Sequence, residues 1–144
     1  MADVAEPRRQ GALPAPEPIP EPETQRFWDA LTDHVLLLQR CAVCREVIWY
    51  PRFFCPRCGS TETTWFEACG EGLIYTFTVV RKSRRAGYAT AVPYVVASVE
   101  LAEGPRIFAN IVDCEPDSVR IGQRVRVTFV PTAGGWTLYR FRPI

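Results

Sequence analysis

The sequence contains one histidine, His34, and one methionine among its 144 residues. A single histidine excludes any site built from several imidazoles, such as a histidine-rich metal centre or a pair of catalytic histidines. His34 stands alone between a predicted helix and a predicted strand. We therefore interpret it as a surface loop residue.

Long apolar runs and a large net charge are also absent. No stretch approaches the roughly 20 apolar residues of a membrane-spanning helix, and the N-terminus lacks the apolar block of a signal peptide, so we expect a cytoplasmic protein without disulfides. The formal net charge is +1 and the pI about 7.6. Dedicated nucleic-acid domains have a pI above about 9, so the bulk charge indicates no polyanionic partner.

Motifs of a self-sufficient enzyme are missing. There is no Gly-rich phosphate loop with a lysine, and the carboxylates are scattered without the spacing of a catalytic pair. Cys69 and Cys114 have no neighbouring histidine, and we interpret both as buried apolar residues. We therefore predict no catalytic residue and expect no activity of the chain alone.

The N-terminal part divides into an arm and a helix. Residues 1–23 hold six of the 13 prolines and few large apolar residues, which predicts a disordered arm or inter-domain linker. Residues 24–38 are predicted as a short helix and a lead-in strand, because Phe27, Trp28 and Leu31 fall at helical spacing and Thr24 can cap the first turn. The helix either packs on its own domain or docks on a partner.

Four of the six cysteines lie in two Cys-x-x-Cys pairs separated by ten residues, namely Cys41, Cys44, Cys55 and Cys58. Two such pairs are typical of a tetrahedral four-thiolate zinc site. Because four thiolates leave no open coordination position, the zinc would be structural. We predict a rubredoxin-like zinc ribbon over residues 39–66, and iron would need the same ligands. Gly59 follows the second pair, whereas Arg45 takes that place after the first, where we expect slight strain of the turn.

Residues 67–144 alternate apolar and polar residues in five short segments: LIYTFTVV, YVVASVEL, RIFANIVD, RVRVTFV and TLYRFRP. This period of two predicts strands, and Pro116 suits the start of a helical turn before the fourth. Five strands with such a turn predict an OB-fold barrel, with an SH3-like barrel as the competitor. The predicted fold class is thus mainly β: a short helix, a zinc ribbon and a five-stranded barrel.

A basic tip joins the first two barrel strands. The sequence RKSRRAGY places Arg81, Lys82, Arg84 and Arg85 in one predicted loop. The loop is either an ordinary solvated hairpin or a grip for phosphate groups, since arginine offers a planar fork that matches phosphate oxygens. Coenzyme A and single-stranded nucleic acid are the candidate ligands.

The order of these motifs resembles one known family. An FW-x-A-L helix is followed by LLQRCAVC, YPRFFCPRCGS, a Gly-x-Gly entry to YTFTVV, PYVVASVELAEGPRIFANIV, IGQRVRVTF and a terminal FRP. Together they are similar to the acyl-CoA-associated zinc-ribbon and OB-fold proteins, formerly a domain of unknown function. The resemblance covers nearly all of the chain after residue 24.

The resemblance implies a non-catalytic subunit of a thiolase-like enzyme, such as a lipid-transfer-type retro-aldolase of steroid side-chain degradation. In that family the ribbon and helix dock on the enzyme, the barrel helps to shape the acyl-CoA channel, and some members are fused through a linker to a hot-dog-fold hydratase. For the interface we predict aromatic side chains: Phe27, Trp28, Trp49, Phe53 and Phe54. For the CoA phosphates we predict the basic tip.

Two other classes of function stay open at this point. A single-stranded nucleic-acid-binding module would use strand aromatics such as Tyr75, Phe77 and Phe108 to stack bases. A redox or metal-transfer protein would need exchangeable metal and accessible thiolates.

Overall fold

The computed structural model describes residues 12–144, which form one helix, eight strands and a 3-10 turn. In chain order they are α1 (Gln25–Thr32), β1 (Leu37–Cys41), β2 (Val47–Ile48), β3 (Thr63–Glu67), β4 (Glu71–Val80), β5 (Tyr94–Leu101), β6 (Arg106–Ile111), the 3-10 turn (Pro116–Ser118), β7 (Arg124–Pro131) and β8 (Thr137–Pro143). No helix in residues 12–144 is long and apolar enough to cross a bilayer.

The first three strands form an antiparallel sheet in the order β2-β1-β3. Strand β1 lies in the centre, with Leu37 paired to Glu67 at one end and Cys41 paired to Thr63 at the other. Strand β2 is only two residues long. This sheet carries both cysteine pairs at its end, so it is the predicted ribbon.

The remaining five strands close into a barrel in the order β4-β5-β6-β8-β7, with β7 pairing back to β4. Strands β6 and β8 run parallel and pair only at Ile111 and Phe141, so the barrel wall is thin there. The 3-10 turn begins at Pro116 before β7, as predicted. The mainly β class and the five-stranded OB-fold barrel are confirmed, and the SH3-like alternative is wrong.

Helix α1, the ribbon and the barrel share one apolar core. Phe27 and Leu31, four residues apart on α1, are 0% exposed and pack in the same cluster as Leu38 of β1 and Phe141 of β8. The ring of Phe27 also meets that of Tyr139 edge to face, 6.0 Å away. The three predicted modules are therefore joined by buried contacts.

Two expectations for the helix are corrected. Thr24 does occupy the N-cap position, but its side chain makes no capping hydrogen bond. Instead its Oγ1 accepts from the backbone N–H of Glu21 and donates to the Glu21 carbonyl. Phe27, predicted at a partner interface, has no exposed surface and is a core residue, because the helix turns this face inward.

The described part of the predicted arm, residues 12–23, makes specific contacts with the folded domains. The carboxylate of Glu17 accepts from Thr132 Oγ1 and from the Gly134 N–H, both at 2.6 Å. A Cβ added at Gly134 would lie 2.8 Å from that carboxylate. Glu23 accepts from the backbone N–H of Phe53 at 3.1 Å. Composition alone does not predict these contacts, since their partners lie far away in sequence.

Candidate metal centre and partner surface

The four predicted ligands come together at the end of the ribbon sheet. All four Sγ atoms lie within 4.8 Å of one another, and the Cys41–Cys58 and Cys44–Cys55 Sγ pairs are 3.6 Å apart. Zinc–sulfur bonds of about 2.3 Å place tetrahedral thiolates about 3.8 Å apart. The cage thus has the size of a zinc site, and the sulfurs are too far apart for disulfides.

Each cysteine pair sits in a turn of the same geometry. The N–H of Arg45 donates to the Cys41 carbonyl at 3.1 Å, and the N–H of Gly59 donates to the Cys55 carbonyl at 2.9 Å. Both turn residues have positive φ, +67° for Arg45 and +78° for Gly59. The predicted correspondence between Arg45 and Gly59 is therefore present in the backbone.

A backbone donor favours the metal-binding form of one of the four thiols, that of Cys41. The N–H of Cys44 donates to Cys41 Sγ at 3.4 Å. This hydrogen bond is the largest of several effects that together lower the pKa of the Cys41 thiol to about 6. For Cys44 the bond from the Glu46 backbone is outweighed by desolvation and by the neighbouring thiols, which raise the pKa of that thiol. The thiolate is the form that binds metals. Residues Cys41, Cys44, Cys55 and Cys58 would hold the ion, which would supply a cross-link between the two turns.

The ribbon has little apolar core of its own around this cage. Its separate buried cluster consists of Cys41, Ile48 and Cys55, with Cys44 packed against it. Such a cluster cannot offset the conformational entropy of ordering both turns, whereas structural zinc contributes to folding directly. The geometry supports a structural metal rather than an open catalytic one.

Sequence reasoning missed one polar residue that supports the site. Gln39 of β1 is only 4% exposed. Its side-chain nitrogen donates to the Arg52 carbonyl at 3.1 Å, and its oxygen accepts from the Arg52 N–H at 2.9 Å. This pair of bonds fixes the segment that leads into the second cysteine turn. A glutamine at an inward position of a predicted strand was the available signal.

The other predicted interface aromatics differ in exposure. Phe53 and Phe54 are 62% and 52% exposed, whereas Trp28 and Trp49 are partly buried against the core. The indole N–H of Trp28 donates to the Tyr50 hydroxyl at 3.2 Å. The segment between β2 and β3, here called the ribbon tip, therefore presents two adjacent phenylalanines, Phe53 and Phe54, to solvent.

The basic tip forms the exposed loop between β4 and β5. Arg81 makes an ion pair with Asp117, and the Arg85 guanidinium lies over the ring of Tyr88, 5.1 Å from its centroid. Lys82 and Arg84 are exposed as well. Two of the four cations thus have partners within the chain.

The remaining singled-out residues lie apart from the cage. His34 is exposed and stacks on Phe129 with the ring centroids 4.9 Å apart, which confirms a surface loop position. Cys114 is partly buried, and burial raises the pKa of its thiol. Cys69 is exposed, so its prediction as a buried residue is wrong. Its backbone N–H donates to Glu103 at 2.6 Å in the link between ribbon and barrel.

Comparisons with known proteins match both folded parts of the chain. Residues 28–64 match the family model "ChsH2, rubredoxin-like zinc ribbon domain", and residues 65–130 match "ChsH2, C-terminal OB-fold domain". A "DUF35 domain-containing scaffold protein" of Methanocaldococcus jannaschii is 35% identical over 83% of this chain and 89% of its own length.

Two longer relatives carry hydratase names. A "Probable enoyl-CoA hydratase alpha subunit" of Thermomonospora curvata is 37% identical over 86% of this chain. The "3-oxo-4,17-pregnadiene-20-carboxyl-CoA hydratase alpha subunit" of Mycobacterium tuberculosis is 29% identical over 84% of it. The chain spans only 40% and 38% of the lengths of these two relatives.

A solved structure named "Ltp2-ChsH2(DUF35) aldolase" contains a chain of the same fold. The two chains superpose with a TM-score of 0.79 at 35% identity, covering 88% of this chain and 98% of that one. The two family models, the sequence relative and the superposed structure all indicate the same family. The chain belongs to the ChsH2 family of DUF35 proteins, which join a rubredoxin-like zinc ribbon to an OB-fold domain.

Proposed function

We propose that this chain is a non-catalytic accessory subunit of a thiolase-like acyl-CoA enzyme, specifically a retro-aldolase of steroid side-chain degradation. The observation that carries the proposal is the superposition on nearly the whole ChsH2 chain of an aldolase assembled with Ltp2. The M. tuberculosis relative, named for a steroid-derived acyl-CoA, supports the substrate class. The hydratase names also support association with, or fusion to, a hot-dog-fold hydratase.

In this proposal the partner holds the acid and base groups that cleave a carbon–carbon bond next to a CoA thioester. This chain stabilises the partner and forms one side of the entrance to the partner's active site. A closed four-thiolate cage fits that division of labour, because it leaves no coordination position for substrate.

The ribbon tip is the proposed docking surface. Phe53 and Phe54 are more than half exposed, and desolvated aromatics dominate the binding energy of protein interfaces. The hydrogen bond from the Phe53 N–H to Glu23 fixes the backbone at this tip, so little ordering is needed on docking. Trp28 and Trp49 would support the edge of this surface.

Affinity capture of the full chain, tagged at its C-terminus, from a lysate of the source organism tests the proposal. We expect a thiolase-like protein in stoichiometric amount, identified by mass spectrometry. The double variant Phe53→Ser/Phe54→Ser should lose it. The matched control is Ile121→Ser, because Ile121 is 69% exposed but lies outside the ribbon.

The competing function, binding of single-stranded nucleic acid, is an outcome of the same capture. Tyr75 and Phe108 are 49% and 73% exposed on the barrel, as base stacking would require, whereas Phe77 is partly buried against the core. Recovery of nucleic acid without a thiolase-like protein, released steeply by salt, would replace the proposal by this one.

A further inference from the structure

Arg140 on β8 is a buried charge outside the metal centre. Its residue surface is only 8% exposed, although arginine is almost never buried without a partner. Its Nη2 donates to the backbone carbonyls of Pro14 and Leu13, at 2.6 and 3.5 Å. Burial lowers the pKa of this guanidinium, which reflects the cost of keeping the charge away from water.

Within residues 12–144, Arg140 forms no ion pair with a carboxylate. The two carbonyls bind one nitrogen of its fork, and a guanidinium carries five N–H donors. A buried cation with spare donors favours an anion, and a carboxylate or phosphate can accept two parallel bonds from such a fork.

Arg140 also lines a pocket between β6 and β8, the two barrel strands that pair at a single position. Its volume is about 170 Å³, below the roughly 300 to 1,000 Å³ of sites that take a whole drug-sized ligand. It has room for one acid group and the atoms attached to it. Its other lining residues include Pro14 of the arm, Asn110, Tyr88 and Phe108.

The surroundings favour a phosphate that carries a flat ring. Tyr88 links the pocket to the basic tip, since the Arg85 guanidinium lies over its ring. Phe108 is 73% exposed beside the pocket, where it can stack on a ring attached to the bound group. A second cation suits a phosphate, which carries more charge than a carboxylate.

We propose that the pocket at Arg140 is a subsite for a phosphate group of a nucleotide-type ligand. Arg140 binds the phosphate oxygens, Arg85 adds positive potential at the rim, and Phe108 stacks on the base. The inference rests on the proposed function, in which the complex handles an adenine-containing thioester, and it moves the principal phosphate contact from the tip of the loop to β8.

The test is a titration of the zinc-loaded full chain with adenosine 3′,5′-bisphosphate, followed by the Nε–Hε resonance of Arg140 and by calorimetry. We expect the resonance to shift with saturation, and inorganic phosphate to shift it in the same direction at higher concentration. Arg140→Gln should bind the bisphosphate about 10- to 100-fold more weakly, the loss expected for a charge-assisted hydrogen bond.

Three variants separate this site from general attraction. Arg142→Gln, which removes the same charge at an exposed position of β8, should bind as the wild type does. Arg140→Lys should fall between wild type and Arg140→Gln, because it keeps the charge and loses the fork. Phe108→Ala should weaken the bisphosphate but not inorganic phosphate, and it remains informative if the Arg140 variants lose their arm contacts.

Equal weakening by the Arg140→Gln and Arg142→Gln variants, or no shift of the Arg140 resonance with either phosphate, would overturn the inference. So would an Arg140→Gln variant that loses only the thiolase-like protein, because the pocket would then hold a side chain of that partner. A chain that captures the partner but binds neither phosphate refutes the pocket alone. One that binds both and captures no partner refutes the proposed function alone.

Discussion

The two cysteine turns permit a prediction in which two matched substitutions change the stability of the zinc-loaded ribbon in opposite directions. Arg45 and Gly59 occupy equivalent positions at φ +67° and +78°. A non-glycine residue in this left-handed region costs about 1–2 kcal/mol, and glycine costs about 0.5–1 kcal/mol of extra backbone entropy on folding. Arg45→Gly should therefore stabilise the holo ribbon by about 0.5–1 kcal/mol, and Gly59→Ala should destabilise it by a similar amount.

A Cβ added at Gly59 meets no atom within 4 Å. The effect of Gly59→Ala on stability therefore comes from the backbone conformation and not from a steric clash. The charge of Arg45 is a separate variable, and Arg45→Ala measures it while keeping the positive φ. The assay is competition for zinc with a chromophoric chelator. In this assay about 0.5–1 kcal/mol corresponds to a two- to fivefold change in apparent affinity.

Ala42→Gly supplies the control for backbone entropy, because Ala42 lies in the first turn at a position without positive φ. It should weaken zinc binding slightly. If Arg45→Gly weakens zinc binding as much as Ala42→Gly does, the strain at position 45 is negligible and the reasoning fails. If Arg45→Ala and Arg45→Gly bind zinc equally well, charge rather than φ determines the effect.

Three further outcomes are expected. Stripping the metal with a chelator should remove hydrogen-exchange protection from residues 41–60 and leave β4–β8 protected, because only the ribbon lacks a sufficient core; unchanged exchange in a metal-free sample would contradict a structural role. Gln39→Ala should lower the free energy of unfolding by about 1–3 kcal/mol, since both backbone groups of Arg52 lose their partner, as measured in urea. Gly72→Ala should lower it by about 1–3 kcal/mol, because the new Cβ would lie 2.5 Å from the Glu100 carbonyl oxygen. Gly72 does not have a positive φ, so the measured loss reports this close contact rather than backbone strain.

The features that sequence predicted well are those set by local spacing. Two Cys-x-x-Cys turns bring four sulfurs together with little help from distant residues. Spacing alone therefore predicted the metal cage, which is formed by Cys41, Cys44, Cys55 and Cys58. The barrel strands follow from a period of two, because one face of each strand must be buried. Order and closure of the strands then follow from the few topologies open to five short strands.

The features that sequence missed depend on contacts between distant segments. Phe27 belongs to an amphipathic helix in either case, and it is a core residue only because it joins the buried cluster that includes Phe141, 114 residues later. Arg140 lies in an alternating strand next to exposed Arg142, and nothing in that pattern indicates that Leu13 and Pro14 cover it. The spacing of apolar residues predicts which face of a helix or strand a residue occupies. Whether that face is buried depends on which distant segments of the chain pack against it.

The arm between residues 12 and 24 connects the two proposed surfaces. Its start is bound by Arg140 at the phosphate pocket, its middle by Thr132 and Gly134 through Glu17, and its end by Phe53 at the ribbon tip through Glu23. Each contact is a hydrogen bond to a charged group, stronger than a neutral one. The backbone between these contacts is stiff, because proline restricts φ at every second position, namely at Pro14, Pro16, Pro18, Pro20 and Pro22. A partner docked at the ribbon tip would therefore lie against one end of the segment whose other end lines the pocket at Arg140. Through this stiff segment, partner binding is expected to change the affinity of the pocket for its ligand.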